Sequence, residues 1–290
     1  MGNIATNSNQ QLEKLKDRGM VMDFPDAKVK EILLDIGYYR LGFYWNPFEI
    51  NDKHDFKEGT KFSDTVKLYY LDVDIRNILL RYIKRIEINF KTKLIYYVSN
   101  KYKDSPTWFN DSKVINRGFV DSLEEHYDDD FKSKNKPIKK HHKKYINDKY
   151  APAWKTLEFF TFGTILKIFK SLNDTEIQER ISNIYGIKNL GKFINLMNTI
   201  VFLRNTCAHS GVIFDLNLPK GISIVPGIEF NNNNRSSLDS SIKIVLFVLD
   251  KISNGRRNDL ENELDKYFEE HKDNEVLKKI IEEKTGYAYK

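Results

Sequence analysis

Residues 66–100 read VKLYYLDVDIRNILLRYIKRIEINFKTKLIYYVSN and contain neither glycine nor proline. Within them Leu68, Leu71, Ile75, Ile78, Leu79, Tyr82, Ile86, Phe90 and Leu94 recur mostly at steps of three and four. That spacing lays one apolar stripe along a helix of about ten turns, whereas a strand would need a period of two. A stripe this long has to be covered by other helices. The stretch predicts an all-α fold, an antiparallel helical bundle built around this helix.

The rest of the chain agrees. Only 7 prolines and 14 glycines interrupt 290 residues, while 19 Phe, 16 Tyr and 3 Trp supply bulk for a core. Few breakers favour long helices over a sandwich of short strands. A single cysteine, Cys207, excludes an intramolecular disulfide and a four-cysteine zinc site. The longest apolar run, residues 244–249, is far short of the roughly 20 residues a spanning helix needs. Residues 1–11 are polar, so no secretory leader is expected. A cytoplasmic protein without a membrane partner follows as the expectation. The net charge of +6 permits a nucleic-acid partner without requiring one.

Around the central helix the pattern predicts a short helix from Leu12 ending at Gly19, and another over 27–37 before the aromatic run 38–45. Residues 51–64 read as a loop and 117–131 as one helix. Residues 132–149, KSKNKPIKKHHKKYINDK, hold eight lysines around Pro137 and read as an exposed basic loop. Helices are expected over 152–172, 174–185 and 190–209. Residues 212–229 read as a short extended region with at most one strand pair, Asn231–Asn234 as a turn, and helices follow within 236–253, 258–270 and 274–284. The division expected is an N-terminal segment, 1–64, packed on a helical domain, 65–290.

One short stretch carries chemistry: Leu203-Arg204-Asn205-Thr206-Cys207-Ala208-His209. Histidine moves a proton near neutral pH. Arginine holds phosphate oxygens in a fork and balances charge in a transition state. Asn205 can orient the imidazole or a ribose hydroxyl. RNA brings its own nucleophile, the 2′-OH, so these residues suffice without a metal or cofactor. Spacing alone is weak: with 11 Arg and 6 His, about 0.7 such pairs arise by chance. On a continuous helix the two side chains would also point roughly 140° apart. Either the helix ends near Gly211 and frees His209, or two copies of the chain share the site. The alternative is a helix-end arginine with a histidine capping the negative end of the dipole.

Other residues have two readings each. Lys139, Lys140, Lys143 and Lys144 are candidate RNA contacts, or part of a merely solvated loop. His141 and His142 lack ligand-spaced partners and read as ordinary loop histidines. Tyr38, Tyr39, Phe43, Tyr44 and Trp45 can stack bases or fill a core, and Arg40 among them is a candidate RNA contact. A charged residue inside such a run needs a partner; Glu87 and Glu158 are candidates, and each reads equally as an ordinary helix-surface carboxylate.

Several separate blocks resemble one family. Ile36-Gly37-Tyr38-Tyr39-Arg40-Leu41-Gly42-Phe43-Tyr44-Trp45-Asn46-Pro47-Phe48 is similar to the opening of the Abi-like abortive-infection proteins of the AbiD/AbiF type. So are Phe56-Lys57-Glu58-Gly59-Thr60-Lys61-Phe62, Asp72-Val73-Asp74-Ile75-Arg76 and Arg85-Ile86-Glu87-Ile88. Ala151-Pro152-Ala153-Trp154 with Glu158 and Thr161-Phe162-Gly163, then Leu203–His209, complete the series in the family's order. The resemblance covers about residues 12–215. It implies a HEPN-like helical bundle with an N-terminal helical extension and a basic insertion. It further implies a metal-independent endoribonuclease whose R-x4-H site, here Arg204, Asn205 and His209, is completed by a second copy in a homodimer. Where many relatives carry a basic residue shortly after the histidine, this chain reads Ser210-Gly211-Val212. The alternative the resemblance allows is a non-catalytic module gripping a structured small non-coding RNA.

Overall fold

The computed structural model describes residues 4–289; residues 1–3 of the polar N-terminal stretch and residue 290 lie outside it. The helices, in order, are α1 (Ser8–Asp17), α2 (Asp26–Ile32), α3 (Tyr38–Trp45), α4 (Phe62–Lys101), α5 (Arg117–Asp121), α6 (Asp129–Lys134) and α7 (Lys136–Lys144). They continue with α8 (Ala153–Thr156), α9 (Phe162–Lys170), α10 (Thr175–Ile184), α11 (Leu190–Ala208), α12 (Leu238–Ile252), α13 (Asn254–Glu269) and α14 (Glu275–Thr285). Among the described residues there is no strand, only isolated bridges such as Val21 with Lys61. The expected all-α bundle is what the chain forms.

At 40 residues α4 is about 60 Å long. Its first turn has no cap of its own. Asp23 supplies one from the preceding segment, its carboxylate accepting from the backbone N–H of Ser63 at 3.0 Å. The stripe read from the sequence is buried as expected, with Leu68, Ile75, Leu79, Ile86, Phe90 and Leu94 almost wholly covered. Helix α11 runs antiparallel beside it: Phe193, near its start, packs on Phe90, while the chain leaving its end reaches Asp72. Helix α13 is antiparallel on another side, where the hydroxyl of Tyr82 donates to Glu263 and Asn274 beyond it donates to Asp64. A knot of rings, Phe90, Phe169, Tyr185 and Phe193, joins α4, α9, α10 and α11. Buried apolar side chains form one continuous core from Leu12 to Ile281.

Local chemistry corrects several boundaries. Helix α2 widens into a π-helical turn over Leu33–Gly37, and Gly37, at φ +95°, lets α3 leave in a new direction. The single helix expected over 117–131 is three short pieces, because Asp128 accepts from the N–H of Phe131 and starts a new helix there. The basic stretch expected as a loop over 132–149 is largely helical. Pro137 sits in the first turn of α7, where its missing N–H costs nothing, and Ile138 and His141 are buried beneath. The helix expected over 152–172 breaks at Phe160, and Thr161 caps α9. Residues 212–229 form no strand pair. Asn195 serves that backbone instead, accepting from Ser223 N–H and donating to the Gly221 carbonyl.

Candidate functional site

Helix α11 buries Phe193, Leu196, Met197, Ile200, Leu203 and Cys207 along one face, which turns Arg204 and Asn205 outward. The helix stops at Ala208, so His209 lies just past the last helical residue and is exposed. Its N–H still donates to the carbonyl of Asn205 at 3.0 Å. Ser210 then takes a left-handed conformation, φ +55°, and the N–H of Gly211 donates to the Thr206 carbonyl at 2.8 Å. A side chain at 211 would put its Cβ 2.7 Å from the Thr206 methyl, so only glycine closes this turn. The turn sharply ends the helix and frees His209 from it.

Two helices converge on that turn. Arg40 of α3 donates from Nη1 to the carbonyl of Ser210 at 3.1 Å. Asp72 of α4 accepts with Oδ1 from the N–H groups of Ile213 and Phe214, at 2.9 and 2.7 Å. Its Oδ2 accepts from the hydroxyl of Tyr44 at 2.9 Å and from Nε of Arg76 at 2.8 Å. The Asp72 side chain is wholly buried and Arg76 is 8% exposed. Burial pushes the Asp72 carboxyl up from its ordinary value, and Arg76 with the other donors opposes that push. Three and four residues beyond Ser210, the exit from the turn is thus bolted to α4 by two of the four hydrogen bonds that one carboxylate accepts.

Arg204 is held from two sides. Its Nε lies 3.5 Å from Glu87 Oε2, and its Nη1 donates to Asn205 Oδ1 at 3.2 Å. Glu87, one of the two candidate partners for Arg40, pairs with Arg204 instead. Glu158, the other candidate for Arg40, contributes its backbone carbonyl to the buried Lys91 at 2.7 Å. Arg40 is engaged with Ser210 and acts as a strut beneath the candidate histidine. Cys207, between them in sequence, is buried, and its thiol is pushed up to about 12 by that burial. At neutral pH it is a core side chain rather than a nucleophile.

The aromatic run divides. Tyr44 and Trp45 are core, while Tyr39 is 82% and Phe43 45% exposed. Lys139, Lys140, Lys143 and Lys144 fall within one exposed arc of α7, opposite the buried Ile138 and His141. His141 pairs with Asp148 at 3.0 Å and His142 with the Tyr127 hydroxyl at 2.8 Å, so both are packing histidines. Among the described residues no three His, Cys, Asp or Glu side chains gather as a metal site would require, and no helix is long and apolar enough to cross a membrane. A family model described as Abi-like protein matches residues 31–215, a span that takes in Arg40, Asp72, Glu87, Arg204 and His209. No curated protein and no solved structure matches the chain.

Proposed function

Because the chain belongs to the Abi-like protein family, we propose that it is an abortive-infection endoribonuclease of HEPN type acting through Arg204 and His209. The observation that carries this reading is the exposed end of α11, where the arginine and histidine lead into a turn anchored by α3 and α4. In the proposed reaction a ribose 2′-oxygen loses its proton and bonds to the adjacent phosphorus. The bond from phosphorus to the 5′-oxygen breaks, and that oxygen takes a proton. The products are a 2′,3′-cyclic phosphate and a 5′-hydroxyl. His209 moves a proton, Arg204 balances charge on the phosphorane oxygens, and Asn205 keeps the guanidinium in place.

Two proton transfers occur on opposite sides of the phosphorus, and one chain offers one such histidine. A two-fold dimer pairing α11 with its counterpart would supply the second. The test is chemical. Purified protein incubated with RNA in EDTA is expected to leave cyclic-phosphate and 5′-hydroxyl ends, and products with 5′-phosphates would exclude this mechanism.

The lysine face of α7 is proposed to hold the RNA backbone. Reversing charge at Lys139, Lys140, Lys143 and Lys144 is expected to weaken RNA binding. The slope of log affinity against log salt should fall by about one unit per lost phosphate contact. Fluorescence anisotropy across a salt series reads both quantities, and an unchanged slope would leave these lysines with no role in binding.

A further inference from the structure

We propose that the cleft between α1 and α3 binds one nucleotide of single-stranded RNA beside the scissile position, stacking its base on Tyr39 and Phe43 and reading an amino group with Glu49. This rests in part on the nuclease reading, since it places the cleft next to that site. The cleft has a volume of about 550 Å³ and Val212 forms part of its wall. Val212 is three residues from His209, at most about 11 Å along the chain.

Its chemistry matches the base and the phosphate of a nucleotide. Tyr39 and Phe43, one turn apart on α3, meet edge to face at 5.5 Å and present uncovered rings, a platform on which a base can stack. Glu49 is only 10% exposed. Its Oε2 accepts from His54 Nδ1 at 2.8 Å and from the Asn46 amide at 3.3 Å. Among the described residues its Oε1 has no hydrogen-bond partner, although Glu49 lines the cleft. The free carboxylate oxygen of a mostly buried side chain, open to a cavity, can take a donor from a ligand, and an exocyclic amino group of a base is one. Lys14 and Arg18 also line the cleft. Lys14 lies 5.9 Å from the Tyr38 ring and Arg18 donates to the Tyr38 hydroxyl. Neither forms an ion pair among the described residues, so both charges are free for phosphate.

The experiment uses the full chain carrying His209→Ala, so that binding is measured without cleavage. Labelled single-stranded oligocytidine and oligouridine of equal length serve as probes, because cytosine carries an amino group at C4 where uracil carries a carbonyl that would face the carboxylate, its proton sitting on N3 instead. Oligocytidine is expected to bind more tightly. Adding Tyr39→Ala and Phe43→Ala is expected to weaken both probes about tenfold or more. Adding Glu49→Gln is expected to erase the preference, since an amide satisfies either group. Unchanged affinity in the Tyr39→Ala, Phe43→Ala variant would overturn the proposal. So would a fall in mass by light scattering without loss of RNA affinity, which would make this surface a contact between copies. Binding that depends on the cleft in a wild-type protein that cuts no RNA would refute the nuclease reading and leave the cleft standing. Cleavage that continues with an unaltered KM in the Tyr39→Ala, Phe43→Ala variant would do the reverse.

Discussion

Replacing His209 by alanine is expected to lower the rate of RNA cleavage by about 10²–10⁴-fold, the usual contribution of a positioned acid or base. The fold should be untouched. His209 is exposed, and the bond it gives the protein is donated by its backbone, which alanine keeps. Arg204→Ala is expected to lose comparable activity, and it also leaves Glu87 without its partner, so its melting temperature has to be compared alongside. The two variants together give a sharper result. If the site is shared by two copies, mixing Arg204→Ala with His209→Ala subunits assembles one mixed dimer whose activity differs from both parents. Single-turnover cleavage of a labelled RNA reads all of this. Wild-type rates in purified His209→Ala would remove the histidine from the reaction.

Asp72→Ala is expected to be the most destabilising single change near the site. It removes the acceptor for two backbone N–H groups, a buried tyrosine hydroxyl and a buried guanidinium in one step. Removing one partner of a buried ion pair costs about 3–5 kcal/mol, most of it for the charge left behind, here Arg76. In a chain of this size that corresponds to a melting temperature lower by about 10 °C. Asp72→Asn should fall between the two, because it keeps an acceptor for Ile213 and Phe214 but turns a second donor toward Arg76. A thermal melt unchanged in Asp72→Ala would mean that this carboxylate does not hold the exit of the turn.

How much was legible beforehand differs between the helix and its fittings. The stripe from Leu68 to Leu94 specified α4 because a periodic apolar face is a local property of the chain. The basic stretch 132–149 was misread because lysine content says nothing of the two side chains, Ile138 and His141, that dock α7. Pro137 reads equally as a breaker and as a first-turn residue until the register of the helix is known. At the site, Arg204 and His209 are visible as a motif, while Glu87 reads equally as a partner for Arg40 and as an ordinary surface carboxylate. Its true partner comes from a helix more than a hundred residues later, and no local pattern encodes that pairing. Asp72 and Arg76 did carry a signal. They stand four residues apart on the buried side of an otherwise apolar stripe, where a charge needs a partner.

Helix α4 also behaves as a ruler. Asp72, which fixes the chain after His209, and Glu87, which holds Arg204, are rungs on the same continuous helix, about 22 Å apart. One residue inserted between them would rotate one rung about 100° relative to the other and lengthen the gap by 1.5 Å. No substitution elsewhere can restore both contacts. The interval between these positions is therefore closed to insertions and deletions, whereas an exposed turn such as residues 51–54 can lengthen or shorten without disturbing the spacing. Descendants of this chain are free to remodel its loops, but they inherit the count of residues from Asp72 to Glu87 unchanged.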